Sequence, residues 1–302
     1  MKEQVNRNRL TSHRGWLTVL MVIFFIYVAT LIVPCAWLLL NSLKTKKEFF
    51  ANTWALPKEP LKNLANYLTA FDMKVTTTLL YREVGLPTMF LNTIFLSFVP
   101  PIFNLFFTCC TAYAYARHNF KLKGVLYIIL IIPMVVNIAG TLPTTYKLIR
   151  DLGIYNNITL IMVLGWSGAG FNFLLVSSVF ENISGTYKEA AQLDGAGHWK
   201  IFLTIYVPQA SNLLISMYVL AVIGAWNDYM TPYLYLPEYP TLATGIYKLR
   251  SSVERKRDDE LYYDQWPRMF AVMIWSILPV LILFIAFQDR IMTMTSGGGI
   301  KE

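Results

Sequence analysis

Few residues in this chain have types and spacing that could do chemistry. The three histidines, His13, His118 and His198, are scattered and lack acidic or cysteine partners at metal-ligand spacing. The three cysteines, Cys35, Cys109 and Cys110, lie inside apolar runs and read as small core side chains, with no disulfide set. No G-x-x-x-x-G-K-[ST] loop occurs, so the chain is not expected to bind ATP by itself. The Gly297–Gly299 run is no phosphate cradle, because no strand precedes it and no helix can follow it. No metal and no cofactor is expected. These absences also argue against a membrane enzyme, which would need acids or histidines clustered near a membrane face. What remains is a set of polar side chains inside apolar runs: Asn92, Asn104, Asn137, Asn172, Ser177 and Ser178. Such groups are unfavourable in a membrane unless they face a cavity, which makes them candidates for lining a solute path.

One other stretch stands apart, residues 189–208, EAAQLDGAGHWKIFLTIYVP, which mixes charge, glycine and small side chains between two apolar runs. Thr186-Tyr187-Lys188-Glu189 fits a capping box, so a helix is expected from Thr186 through Glu189, Ala190, Ala191 and Leu193. Asp194-Gly195-Ala196-Gly197 should stop it. Trp199, Phe202 and Ile205 then recur at helical spacing, and Pro208 opens the next apolar run. The prediction is two short helices joined by a glycine turn. Their small residues would let another protein's backbone approach closely. Glu189 either completes the capping box or contacts a partner, and the two roles are compatible. Asp194 and Gly195 are expected to build the turn.

The elements that must position these residues are membrane helices. Of 302 residues, 55% are hydrophobic and 15% charged, and the mean hydropathy is +0.45, too apolar for a soluble protein of this size. Six spans are predicted, at about 16–40, 87–116, 124–146, 158–180, 208–235 and 268–288. Each can cross a hydrocarbon core of roughly 30 Å at about 1.5 Å per residue. The first is too long for a signal-peptide core and reads as a retained helix. Pro100-Pro101 should kink the second. The fold class expected is an all-α polytopic membrane protein. The +8 net charge reads as basic loops flanking the helices rather than a nucleic-acid surface. No carboxylate sits at the centre of a span, which disfavours a proton- or sodium-coupled carrier.

Residues 189–208 also resemble the EAA loop of permease subunits from binding-protein-dependent ABC importers. Glu189-Ala190-Ala191, Asp194-Gly195-Ala196 and Ile205-Tyr206-Val207-Pro208 stand in matching register, with Val207 where leucine is usual. The tail Ser296-Gly297-Gly298-Gly299-Ile300-Lys301-Glu302 and the Trp226-Asn227-Asp228 triplet are similar to maltose-type sugar permeases. The resemblance implies a type I importer permease with both termini cytoplasmic, in the cell membrane of a bacterium or archaeon. It implies an N-terminal tail at 1–15, a first helix at 16–40, an extracytoplasmic loop at 41–86, a five-helix core at 87–290 and a tail at 291–302. Residues 181–207 would then be the cytoplasmic coupling loop. It further implies two ATPase subunits gripping Glu189, Ala190, Ala191, Asp194, Gly195 and Ala196, a second homologous permease, and an extracytoplasmic sugar-binding protein. Gly298, Gly299 and Lys301 would reach between the ATPase subunits, or else form a frayed terminus. The solute implied is an oligosaccharide, whose hydroxyls suit hydrogen-bonding side chains in the path. An amino acid or polyamine is the alternative, because EAA loops occur in those importers too. With the N-terminus inside, eleven Lys/Arg fall on cytoplasmic segments and fifteen on outer ones, against the positive-inside rule. Lys44, Lys46 and Lys47 contribute to that excess close to a membrane end.

Overall fold

A computed structural model describes residues 2–135, 141–159, 168–255 and 260–296. The chain divides into two compact units, one of residues 1–72 and 250–275, the other of residues 73–249 and 276–302.

The first unit begins with α1 (Lys2–Ser42), a continuous helix despite Pro34. Almost every side chain from Trp16 to Ala36 is exposed although the segment is apolar on all sides. A helix hydrophobic all round belongs in a hydrocarbon environment, and Trp16–Ser42 has the length and hydropathy of a membrane span. Polar burial starts where α1 ends. The Asn66 amide donates to Ser42 O and Lys44 O (2.8 and 3.0 Å), and the Asn63 amide donates to Leu43 O (2.8 Å). These carbonyls would otherwise be orphaned at a helix terminus. Lys44 is fully buried, and its ammonium donates to Asn41 Oδ1, Asn52 O and Thr53 O at 2.8–3.0 Å. Burial holds its pKa below the ordinary lysine value, against the pull of the nearby Glu48 carboxylate. One of the lysines that weigh against the chosen orientation is therefore not a solvated charge.

A short α2 (Lys46–Ala51) follows, opened by a complete capping box between Thr45 and Glu48. Beyond it lies α3 (Ala65–Thr69), so the 41–86 segment carries short helices of its own. Trp37 and Phe49 both pack on Phe270, with ring centroids 5.5 and 5.4 Å apart. Trp275 donates its indole N–H to Tyr67 O (3.2 Å).

The second unit opens with strands β1 (Lys74–Thr76) and β2 (Glu83–Gly85), paired antiparallel with Val75 opposite Val84. The chain is thus not purely helical. Glu238 Oε1 accepts from the backbone N–H groups of Leu79 and Leu80 (2.8 and 2.9 Å), fixing the hairpin's tip. The long helix α4 (Leu86–Arg117) starts with Pro87 in its first turn and runs through Pro100-Pro101 without a break. Against it pack α7 (Phe171–Asn182) and α11 (Ser211–Asn227), and α5 (Lys123–Val135) packs on α7. The remaining helices are α6 (Thr141–Asp151), α8 (Gly185–Leu193), α9 (His198–Ile201), α10 (Val207–Gln209), α12 (Met230–Tyr235), α13 (Leu242–Arg255) and α14 (Glu260–Ser296).

The six predicted spans are not six unbroken helices. Among the described residues, Trp16–Ser42, Leu86–Arg117 and Gln265–Met292 pass the length and hydropathy test, and a bent pair, His198–Gln209 with Ser211–Asn227, makes up to four. Residues 136–140 of the third predicted span and 160–167 of the fourth lie outside the described residues. Gly168 and Gly170 take φ +54° and +79°, which a helix cannot continue, so α7 begins at Phe171. The fifth stops at Asn227. There the Asp228 carboxylate accepts from Met230 N and Thr231 N (2.9 and 3.1 Å) and starts α12 instead.

Candidate functional site: a helix–turn–helix rooted in α4 and α7

The segment 184–209 has the predicted form with a shifted start. Ser184, not Thr186, caps α8, its hydroxyl accepting from Thr186 N. Thr186 therefore sits inside the first turn, and the capping box with Glu189 does not form there; the same pattern does form at Thr45 and Glu48. Helix α8 ends as glycine placement requires. Gly195 has φ +75°, Ala196 N donates to Ala191 O (2.9 Å), and Gly195 N donates to Gln192 O (3.0 Å). Those two bonds make a Schellman ending, whose left-handed position glycine occupies without steric penalty.

The second half begins at His198 and runs through a π-helical turn, Phe202–Tyr206, into α10. Pro208 falls within this run rather than opening a new one. The 78° bend comes two residues later, between Gln209 and Ser211. Single π-helical turns are rare and recur at functional sites.

The motif residues do not share one environment. Glu189, Ala190, Asp194 and Gly195 are exposed, whereas Ala191 and Ala196 are half-buried and pack on the segment's own core. That core contains Tyr113, Phe173, Val176, Phe180, Ile183, Ile201, Phe202 and Tyr206. Tyr113 of α4 lies 5.1 Å from the Phe202 ring and 5.0 Å from the Tyr206 ring. The free side is apolar as well as charged, with Leu193 90% and Trp199 63% exposed. His118 and His198, far apart in sequence, bring their ring centroids to 5.4 Å. Among the described residues, no three His, Cys, Asp or Glu side chains converge as a metal site would need.

The polar candidates for a solute path are dispersed. Asn92 donates to Pro240 O (3.1 Å), and buried Ser177 donates to Leu174 O (3.1 Å). Asn104 is half-buried on α4, and Asn172 and Ser178 are exposed on α7. Asn137, like Gly298, Gly299 and Lys301, lies outside the described residues. A cavity of about 500 Å³, bordered by Ile102, Phe106, Leu203, Pro208 and Ile215 among others, includes none of the six. Contacts between helices fall to other residues, of which only Trp226 stands out in the sequence. Thr93 accepts from Leu242 N (2.8 Å), Ser216 donates to Arg290 O (2.7 Å), and Trp226 donates to Ser276 O (3.0 Å). Arg117, the last residue of α4, donates to Phe180 O and Ile183 O.

Comparison with known proteins agrees with this arrangement. Residues 105–294 match the family model described as the binding-protein-dependent transport system inner membrane component. The probable ABC transporter permease protein YurM of Bacillus subtilis is 23% identical over 283 residues, 93% of this chain and 87% of that protein. AmyC of Thermoanaerobacterium thermosulfurigenes, a probable starch degradation products transport system permease protein, is 28% identical over 275 residues, covering 89% and 91%. A solved bacterial ABC transporter involved in import of the acidic polysaccharide alginate shares the fold, with TM-score 0.75 at 24% identity over 92% of this chain and 97% of that one. With a matched region that contains the whole helix–turn–helix, all of α7 and the C-terminal part of α4, the chain belongs to the family of binding-protein-dependent transport system inner membrane components.

Proposed function

We propose that this chain is the permease subunit of an ATP-driven importer that brings an oligosaccharide into the cytoplasm. ATP hydrolysis belongs to separate subunits. The chain spans the membrane six times, keeps both termini in the cytoplasm, and pairs with a second, homologous permease. Residues 181–207 face the cytoplasm, where each permease engages one of two ATPase subunits, and an extracytoplasmic binding protein delivers the sugar.

The observation that carries this reading is the division of residues 184–209 into a rooted side and a free side. Ala191, Ala196, Ile201, Phe202 and Tyr206 seat it on α4 and α7, while Glu189, Asp194, Leu193 and Trp199 remain available to a partner. Closure of the ATPases on ATP moves this free side, and the seated side passes the movement to the helices, switching the path between outward and inward access. Within the path, Asn172 and Ser178 are the better candidates for sugar hydroxyls, because both are exposed on α7, whereas Asn92 and Ser177 donate inside the protein. A sugar rather than an amino acid or polyamine is favoured by the starch-product permease relative and by the Trp226-Asn227-Asp228 and glycine–lysine tail patterns.

The test is purification with the copurifying subunits, followed by a screen of sugars, amino acids and polyamines, each with the cognate binding protein, for stimulation of ATP hydrolysis. An oligosaccharide should stimulate; stimulation by an amino acid or polyamine alone would replace the solute assigned here. Orientation is checked by placing a cysteine at position 194 after Cys35, Cys109 and Cys110 are replaced. A membrane-impermeant thiol reagent should label it only in inverted vesicles, and labelling from the outer side would overturn the proposal. Gly298, Gly299 and Lys301 are proposed to extend between the ATPase subunits. Removing residues 297–302 should lower the stimulation of ATP hydrolysis by sugar, and unchanged stimulation would mark them as a free end.

A further inference from the structure

Arg117 is the last residue of α4, and its guanidinium reaches both stems of the helix–turn–helix. On the entry side, Nη2 donates to Phe180 O (2.6 Å) and to Ile183 O. Those carbonyls belong to the last turn and the C-cap of α7, immediately before Ser184 caps α8. A cation there meets unsatisfied carbonyls and the negative end of the helix dipole. On the exit side, the guanidinium carbon lies 4.9 Å from the centre of the Tyr206 ring. Tyr206 closes the π-helical turn and is fully buried, as is Phe180. The Phe180 and Tyr206 rings are themselves 5.6 Å apart, edge to face.

We propose that Arg117 is a positioning residue that clamps the entry and exit of the helix–turn–helix to the end of α4, so that movement imposed on the exposed tip reaches α4 and α7 as one body. The inference rests on the coupling function proposed above and goes beyond it by naming the residue through which coupling passes. A guanidinium suits the place because one planar group can hydrogen-bond two carbonyls in its edge and present its face to an aromatic ring. A lysine ammonium is a point donor with no face to stack. The π-helical turn is part of the device, since it ends on the ring that the guanidinium covers.

The test uses the complete importer with its binding protein and reads the ratio of sugar-stimulated to unstimulated ATP hydrolysis per assembled complex, together with uptake. Arg117→Gln should lower that ratio by about tenfold, within the usual range of coupling between sites, and lower uptake in parallel. A ratio equal to the wild type, or an uptake loss accounted for entirely by fewer assembled complexes, overturns the clamp. If Arg117→Gln does not accumulate in membranes, Arg117→Lys carries the same test, because it keeps the charge but not the planar face that covers Tyr206. Tyr206→Leu should lower the ratio too, and the double variant should be little worse than Arg117→Gln alone. Fully additive losses would show that the two side chains act separately and would overturn the shared clamp. A wild-type complex without ATP-driven uptake would sink the function proposed above, and the clamp with it. A coupled wild type with an equally coupled Arg117→Gln variant sinks only the clamp.

Discussion

The link after α1 and the link after α7 are both short and rich in polar residues, yet one is closed on itself and the other is left open. In residues 41–58 every strong donor or acceptor named has a nearby partner. Lys44 binds Asn41, Asn52 and Thr53, Glu48 closes the capping box and accepts from Lys58 N (3.1 Å), and Asn52 Oδ1 accepts from Trp54 N and Ala55 N (2.8 and 3.2 Å). These side-chain partners lie within ten residues of one another along the chain, and the carbonyls of Ser42, Leu43 and Lys44 accept from Asn63 and Asn66, 20 to 24 residues further on. In residues 184–209 the acids are exposed and large apolar side chains face outward. The carbonyls just before it, Phe180 O and Ile183 O, accept from Arg117, 63 and 66 residues away. A link whose polar groups are satisfied within the protein supports stability; the link with exposed apolar and acidic side chains is the one proposed to meet a partner. Changes in the first should therefore act mainly on folding, and changes in the second mainly on coupling.

The strongest way to break that contrast is Gly195→Pro. Proline holds φ near −65° where Gly195 has +75°, and it removes the N–H that bonds Gln192 O. Sugar uptake should be abolished while the protein still inserts into membranes at wild-type abundance. Normal uptake by a stably inserted variant would mean that the turn is not needed for coupling.

Next comes Lys44→Met, which keeps the bulk but leaves Asn41 Oδ1, Asn52 O and Thr53 O without their donor. Hydrogen bonds to a charged group contribute about 1.5–3 kcal/mol each, so a destabilisation of about 2–3 kcal/mol is expected after relaxation. Limited proteolysis should show faster cleavage within residues 44–60, with the ATP stimulation ratio per intact complex unchanged. Lost stimulation without faster cleavage would contradict the division between the two links.

The smallest effect compares two glycines at opposite ends of α8. Gly195→Ala places a Cβ at positive φ and should lower the thermal stability of the purified protein by about 1 kcal/mol, although nothing lies within 4 Å of the added carbon. Gly185, in the first turn, has no positive φ and open space around it, so Gly185→Ala should be neutral or stabilise by about 0.5 kcal/mol. Equal effects at the two positions would mean that α8 does not end as described.

Much of the site was legible before the fold. The glycine stop at 195, the two helical segments and the small residues between them follow from rules acting over four or five residues, and those rules do not depend on the rest of the chain. The misplaced cap shows the limit. Thr45 and Thr186 both precede a glutamate by three residues, but only Thr45 forms the box, because Ser184 takes the capping position at α8 first. The spans show another limit. Apolar content marks a stretch as compatible with the membrane, yet Gly168, Gly170 and Asp228 decide where its helices start and stop.

By itself the amino-acid order determined that the chain lives in a membrane, that α4 and α14 are long helices, and that residues 185–209 bend at a glycine, because hydropathy and backbone preference are local properties. Only the tertiary structure decided that Lys44 is buried, that Ala191 and Ala196 face inward while Glu189 and Asp194 do not, and that Arg117 meets Phe180, Ile183 and Tyr206. The Arg117 contacts cross more than sixty residues and depend on how whole helices pack. Even the local partners of Lys44 are set by how the chain folds back after α1, which no spacing pattern records.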